Sequence, residues 1–166
     1  MKLDTERLEL IPMTASQLRL WADNLPALEK ELSLQYRGEP LEGWFLGIIK
    51  KQVEITENDP ADYVWHSFWL IMRKADRVAV GSADFKAPPD STGEVEIGYG
   101  LSPGFEHHGY MTETVKAMCQ WALKQEGVAS VIAETETNNL ASQHILKRCG
   151  FVEEKRAETV WWKLKL

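Results

Sequence analysis

Cysteine is scarce in this chain, and long apolar runs are missing from it. Cys119 and Cys149 are the two cysteines in 166 residues, too few for a disulfide framework and typical of free thiols in a reducing compartment. The longest apolar run, residues 68–72, is far too short to span a bilayer. The first residues also lack the apolar segment of a signal peptide. These absences predict a cytoplasmic protein with no membrane partner.

Basic residues are in the minority. The 19 lysines and arginines are outnumbered by 25 aspartates and glutamates, which gives a net charge of −6. This balance argues against binding of nucleic acid through a broad basic surface and favours a cationic partner such as an amine. The composition is otherwise that of a globular protein, 44% hydrophobic and 27% charged. A chain of this length predicts one domain over residues 1–166.

Hydrophobic periodicity predicts an early strand and helices, a middle run of strands, and alternating elements at the end. The predicted strands are 7–12, 67–73, 78–85, 94–101, 128–134, 151–155 and 160–164. The predicted helices begin after Thr14 and cover 41–55, 110–125 and 140–148. Short turns in the middle favour antiparallel pairing, and the later strand–helix–strand order favours a parallel step. The sequence therefore predicts a mixed α/β sheet.

The loop between strand 94–101 and helix 110–125 is suited to an anion. A helix N-terminus exposes unpaired N–H groups and carries a partial positive charge, and Gly109 lets the backbone approach a ligand closely. His107 and His108 supply further donors. The residues alone leave two interpretations open, a phosphate site or an ordinary strand-to-helix turn.

Four strings resemble the RimJ/RimL branch of the GNAT N-acetyltransferase superfamily, in the order of that branch and across nearly the whole chain. They are Asp4-Thr5-Glu6-Arg7-Leu8, Glu96-Ile97-Gly98-Tyr99, Gly109-Tyr110-Met111-Thr112-Glu113, and Asn139-Leu140-Ala141-Ser142 followed by Lys147-Arg148-Cys149-Gly150-Phe151. The resemblance implies a single acetyltransferase domain with a twisted, mostly antiparallel sheet of about seven strands. It also implies helices on both faces of that sheet and a splay between its fourth and fifth strands.

The function implied by this resemblance is an acetyl-CoA-dependent N-acetyltransferase that acts on a primary amine by direct attack in a ternary complex. The acceptor is expected to be a small molecule or a protein N-terminus, and a homodimer is compatible with the resemblance. The residues implied in holding the cofactor lie in three segments. They are Tyr99 and Leu101 through their backbone groups, then His107, His108, Gly109, Tyr110, Met111 and Thr112, and finally Asn139 and Ser142.

Two positions depart from the family pattern. Glu106 stands where Gln or Arg is usual, and a carboxylate that faced inward would repel a pyrophosphate. His107 stands where a further glycine is common. The alternative functions are therefore a catalytically weak CoA-binding sensor and a plain scaffold subunit.

Acid–base chemistry has three candidate side chains. Most amines are protonated at neutral pH, so a base is useful, and Glu96 is preferred over Glu94, which shares its strand face. The family commonly supplies a tyrosine as donor to the leaving thiolate, but residues 139–150 contain none, so Ser142 is the candidate. The alternative is structural: two solvated charges and a first-turn serine. The histidines and cysteines lack a zinc spacing, so no metal is predicted.

The acceptor site is expected near the first two helices and the last hairpin. Tyr36, Trp44, Trp65 and Trp161 are candidate walls of that site. Packing in the core is the alternative role for these large side chains.

Overall fold

The computed structural model describes residues 1–166 as nine strands and six α-helices. The strands are β1 (Leu3–Asp4), β2 (Leu8–Pro12), β3 (Gln35–Tyr36), β4 (Phe68–Arg73), β5 (Val78–Phe85), β6 (Glu94–Leu101), β7 (Ser130–Glu136), β8 (Val152–Arg156) and β9 (Thr159–Lys165). The helices are α1 (Ala15–Asp23), α2 (Leu25–Leu32), α3 (Gly43–Asn58), α4 (Tyr63–His66), α5 (Tyr110–Ala122) and α6 (Leu140–Arg148). All seven predicted strands are present. The additional strands, β1 and β3, have two residues each, too few to produce a periodic pattern.

The segment after Thr14 contains two helices where the sequence predicts one. Thr14 begins α1 with a capping box, in which its hydroxyl oxygen accepts from Gln17 N over 3.2 Å. Asn24 ends α1 and caps α2, because its side chain accepts from Ala27 N over 3.3 Å. Pro26 follows in the first turn of α2, where its missing N–H costs nothing, whereas a continuous helix would need that donor.

The strands form one sheet in the order β1-β2-β4-β5-β6-β7-β9-β8, and β3 pairs with β5. Pairing is antiparallel along the sheet except between β6 and β7, and the short β3 is also parallel to β5. The predicted meander is β4-β5-β6, and the predicted parallel step is β6-α5-β7. The predicted fold class is therefore confirmed.

Helices cover both faces of the sheet, as the resemblance implies. On one face α5 and α6 pack against the sheet through buried side chains that include Met111, Val115 and Leu146. On the other face α1, α2 and α3 pack through side chains that include Trp21 and Ile49, against β4 and the start of β5. This second core contains no residue of β6, β7 or β9, so the far face of those three strands lies outside it. No helix is both long enough and apolar enough to cross a membrane.

The sheet opens between β6 and β7. These strands pair only where Glu94–Glu96 lies beside Ser130–Ile132. The rest of β6, from Ile97 to Leu101, pairs with β5 on its other edge and has no partner on the β7 side. The splay between the fourth and fifth long strands is therefore present, and it creates the space in which the site lies.

Candidate active site

A cavity of about 460 Å³ lies in the opening between β6, the N-terminus of α5 and the helix α6. Its volume is in the range of small-molecule sites. Its lining residues are Tyr99, Leu101, Glu106, His107, Gly109, Tyr110, Met111, Thr112, Asn139, Ala141, Ser142, His144, Ile145 and Arg148. The structure thus brings together nine of the ten residues predicted to hold the cofactor, with His108 as the exception.

The unpaired edge of β6 presents backbone groups to this cavity. Lys86 N donates to the Glu96 carbonyl at 2.9 Å, and Ser102 N donates to the Val80 carbonyl at 3.3 Å. Hydrogen-bonded pairs alternate along an antiparallel ladder, so the even-numbered residues of β6 bond to β5. The N–H and C=O groups of Tyr99 and Leu101 therefore point toward the opening. Their binding of pantetheine, which the resemblance implies, stays a prediction.

The N-terminus of α5 supplies a second set of donors. The first helical bond is made by Glu113 N to the Gly109 carbonyl at 3.1 Å. The N–H groups of residues 110–112 precede that bond and have no partner within the helix. Gly109, the N-cap, has φ of 79° and makes no side-chain cap, so the donors remain free for an anion and lie in the positive potential of the helix.

The two departures from the family pattern both lie in the cavity wall. His107 has φ of 67°, a left-handed conformation that glycine adopts without cost. Glu106 is exposed and lines the cavity, so the repulsive carboxylate is near the anion site. His108 is the one predicted ligand missing from the residues that line the cavity, and its role in holding the cofactor stays a prediction.

Three residues that the sequence did not suggest as a group support the loop before α5. They are Thr5, Arg7 and Glu113, here called the N-terminal clasp. Backbone N and Nε of Arg7 donate to the Glu113 carboxylate at 2.9 and 2.8 Å, and the Thr5 hydroxyl also donates to it. Nη1 of Arg7 donates to the His108 carbonyl at 2.8 Å. The guanidinium lies 4.6 Å from the centre of the Tyr110 ring.

The clasp favours the ionised form of the Glu113 carboxylate. Burial raises the pKa of Glu113, but the hydrogen bonds from Thr5 and Arg7 outweigh burial, so that the net pKa is lowered. The partial positive charge at the start of α5 also stabilises a carboxylate in the first turn. Residues 4–8 and 109–113 each resemble a family string, and this was the only sequence signal for the clasp. The resemblance did not reveal that the two segments are in contact.

Helix α6 forms the opposite wall. The Asn139 side chain caps it by accepting from Ser142 N at 3.1 Å. Ala141, Ile145 and Arg148 recur at spacings of three and four residues, so they share one helical face and line the cavity with His144. The helical spacing after Asn139 was the signal for these residues, and Arg148 adds a positive charge.

Tyr99 enters the site through its side chain as well as its backbone. Its hydroxyl lies 2.7 Å from Ser142 Oγ and 3.4 Å from the Ser142 carbonyl oxygen. Burial raises the pKa of Tyr99 to about 12, opposed by the bond with Ser142. The sequence predicted both residues, one as a backbone group and one as a donor, but not that their hydroxyls meet.

The base candidates lie on the far face of β6. Val95 and Ile97 pack on the α5 side, so Glu94 and Glu96 face the other way. The Glu94 carboxylate forms an ion pair with Lys163, with 2.6 Å between Oε2 and Nζ. Glu96 is half-buried and forms no ion pair within 4 Å. Of the two, Glu96 has the carboxylate that is free to accept a proton.

The pKa of Glu96 is raised. Burial is the largest cause, Lys86 opposes it, and the carboxylates of Glu134 and Asp84 add to it. Asp84 is itself only 9% exposed, and burial raises its pKa as well. A raised pKa brings a carboxylate closer to the range in which it can exchange protons with an amine.

The candidate acceptor walls divide into two groups. Tyr36 and Trp65 are buried in the two cores, so they are wrong as walls. Trp44 is 81% exposed at the start of α3, and Trp161 is half-buried on the same sheet face as Lys163. These two remain predictions.

Comparison with known proteins agrees with this geometry. Residues 7–152 match the model of the acetyltransferase (GNAT) domain. The N-acetyltransferase YjdG of Bacillus subtilis (strain 168) is 29% identical over 164 residues, with 92% of this chain and 97% of that protein covered.

Two solved structures share the fold over nearly the full length of both chains. The ribosomal-protein-S5-alanine acetyltransferase from Vibrio fischeri superposes with a TM-score of 0.72 at 16% identity, covering 99% of this chain and 96% of that one. RimL, a ribosomal α-N-protein acetyltransferase in complex with coenzyme A, gives a TM-score of 0.70 at 15% identity, covering 100% and 98%. At such identities the likeness shows the fold, whereas the family match covers most of the sequence. The chain therefore belongs to the GNAT acetyltransferase family and is an acyltransferase enzyme.

Proposed function

We propose that this protein transfers the acetyl group of acetyl-CoA to a primary amine, by direct attack in a ternary complex. The observation that carries the proposal is that the unpaired edge of β6 and the free N-terminus of α5 line one cavity. The acceptor is a protein N-terminal α-amine or a small-molecule amine, as in the RimJ/RimL branch. The whole chain acts as a single acetyltransferase domain.

The lining residues fit acetyl-CoA group by group. The free N–H groups of residues 110–112 suit a pyrophosphate. Backbone groups of Tyr99 and Leu101 suit the amides of pantetheine, which can extend the sheet as a strand would. Asn139 lies near that path and already caps α6. Loop, strand and helix thus offer both donors and acceptors along one cavity.

The chain's own side chains then supply acid–base chemistry. When bound, acetyl-CoA supplies an acetyl thioester whose leaving group is a thiolate. Glu96 accepts a proton from the acceptor amine, directly or through a water, because a protonated amine cannot attack. Ser142 donates to the departing sulfur from the first turn of α6, where the potential is positive.

One observation favours a second candidate, a CoA-binding sensor with little turnover. Glu106 contributes a carboxylate to the cavity wall, and His107 adopts a conformation that suits glycine. Both features weaken the grip on a pyrophosphate if nothing compensates for them. The N-terminal clasp and Arg148 are the compensating elements, so the enzyme is the preferred proposal.

The test measures binding and turnover separately. CoA at a hundredfold excess over its Kd is expected to raise the free energy of unfolding by about 2.7 kcal/mol, seen as a higher Tm. Release of free thiol from acetyl-CoA is then followed with peptides that carry a free N-terminus and with small amines. The matched control is each peptide with its N-terminus blocked. Binding without turnover on any acceptor would support the sensor, and no change in Tm would contradict both proposals.

A further inference from the structure

The hydroxyls of Tyr99 and Ser142 form a pair inside the cavity. They come from different elements, β6 and the first turn of α6, and are 43 positions apart in the chain. Their oxygens are 2.7 Å apart, which is the usual length of a hydrogen bond between two hydroxyls. Both residues line the cavity.

The pair has a preferred direction of donation. Each hydroxyl has one proton, so one proton forms the bond between them and the other is free to point elsewhere. A phenol is a stronger acid than an aliphatic alcohol and is therefore the better donor. Because burial raises the pKa of Tyr99 to about 12, the phenol keeps its proton at neutral pH. With Tyr99 donating to Oγ, the Ser142 proton is left to point into the cavity.

We propose that Tyr99 is a positioning residue, which donates to Ser142 Oγ and thereby aims the Ser142 proton at the leaving sulfur. The proposal rests on the function given above. As the C–S bond breaks, its electron pair stays on sulfur, and sulfur takes the Ser142 proton. Oγ takes the Tyr99 proton in exchange, and Tyr99 is reprotonated from solvent. The amine nitrogen forms the new C–N bond and loses its proton to Glu96, which releases it to solvent. The two solvent exchanges cancel, so no net proton is consumed and no oxidant or reductant is needed.

The tyrosine hydroxyl beside Ser142 comes from β6 and not from α6. Residues 139–150 contain no tyrosine, and a serine hydroxyl alone is a poor acid at neutral pH. The side chain of Tyr99 lies beyond the last pair of β6 with β7, at Glu96 and Ile132, where the open sheet lets it reach α6. The splay thus brings a phenol to the serine across the gap.

The test combines Tyr99→Phe, Ser142→Ala and the double variant, with Tyr63→Phe as control. Tyr63 lies in α4 outside the cavity, so its variant makes the same chemical change away from the site. Tyr99→Phe is expected to lower kcat about tenfold, the loss of one hydrogen bond to a group that becomes charged. KM for acetyl-CoA should not change. The double variant should be no slower than Ser142→Ala, since Tyr99 acts through Ser142.

A second readout does not depend on turnover. The pKa of the thiol of bound CoA is measured from the ultraviolet absorbance of the thiolate. It should be lower in the wild type than in Tyr99→Phe or Ser142→Ala, because a donated hydrogen bond favours the thiolate. Ser142→Thr keeps a hydroxyl and should keep the lower value. If Tyr99→Phe does not fold, the Ser142→Ala and Ser142→Thr pair tests the same bond to sulfur.

The outcomes separate this inference from the proposed function. A wild type that binds CoA but acetylates no amine removes the function, and the thiol pKa still tests the hydroxyl pair. An unchanged kcat and an unchanged thiol pKa in Tyr99→Phe would overturn the inference. If Tyr99→Phe lowers Tm and raises KM for acetyl-CoA while kcat stays the same, the Tyr99–Ser142 hydrogen bond has only a structural role. That result would also overturn the inference.

Discussion

The two sides of the β6–β7 opening are built from different polar groups. On the α5 side the cavity is built from backbone: free N–H groups at a helix start, the unpaired edge of β6, and a loop with two left-handed residues. On the far face the polar groups are side chains from several strands, where burial and the carboxylates of Glu134 and Asp84 raise the pKa of Glu96. A site built from backbone depends little on the identity of its side chains. A side-chain site can change with the acceptor.

The far side gives the largest expected effect. Glu96→Gln removes the proposed base while keeping the shape of the side chain, and kcat/KM for the acceptor should fall about a hundredfold. Glu94→Gln is the matched control, because Glu94 is already paired with Lys163 at 2.6 Å. Its effect should be less than threefold in kcat/KM, since surface ion pairs contribute little.

The pH dependence of the wild type sharpens this prediction. A base works only when deprotonated, so kcat/KM should rise with pH through the pKa of Glu96. Burial and neighbouring carboxylates raise that pKa, so the midpoint of the rise should lie above the usual glutamate value. Glu96→Gln should abolish this rise and keep the Kd for CoA. An equal rise in the variant would assign the base to another group.

The cavity side gives the next effect. Arg7→Met keeps the apolar stem but removes the guanidinium, which donates to Glu113 and to the His108 carbonyl, so the loop loses part of its support. We expect the Kd for CoA, measured by calorimetry, to rise about tenfold, equivalent to roughly 1.4 kcal/mol. Arg19→Met is the control, because Arg19 forms its ion pair with Glu57 far from the cavity. Equal Kd values for the two variants would show that the clasp does not support the loop.

The smallest effects concern the two departures in the loop. Glu106→Gln with His107→Gly should tighten CoA binding about threefold, mainly because the exposed carboxylate no longer repels phosphate. His107→Gly alone should raise the free energy of unfolding by about 1 kcal/mol, since φ is 67° there. His107→Ala is its matched control, because alanine also loses the imidazole but keeps the strain. Weaker CoA binding in the double variant would contradict this view of the loop.

The local patterns predicted the long elements of the fold well. Strand alternation located the seven long strands, and α6 has the predicted bounds, because Asn139 caps it and Gly150 follows it. The break at Asn24 was missed because Leu25 continues the helical spacing of α1, so the hydrophobic pattern masks the cap. The strands β1 and β3 depend on neighbours far away in sequence, and their own residues do not specify them.

In the site, too, local features could be predicted from the sequence and contacts between distant residues could not. The loop and the start of α5 were readable because consecutive residues create the donors. The clasp joins Arg7 to Glu113, and the hydroxyl pair joins Tyr99 to Ser142, over separations of 106 and 43 positions. The exclusion of His108 from the cavity likewise depends on how the loop turns. Periodicity and spacing contain no information on such contacts.

The sequence by itself determined the parallel step at β6-α5-β7, because hydrophobic patterns act over a few residues. Its resemblance to family strings indicated the family and the segments that form the cavity wall. Only the tertiary structure decided which carboxylate is unpaired, what holds the loop, and that a tyrosine from β6 meets the serine of α6. These depend on distances across the splayed sheet, where charge, burial and hydrogen bonding are set by residues remote in the chain.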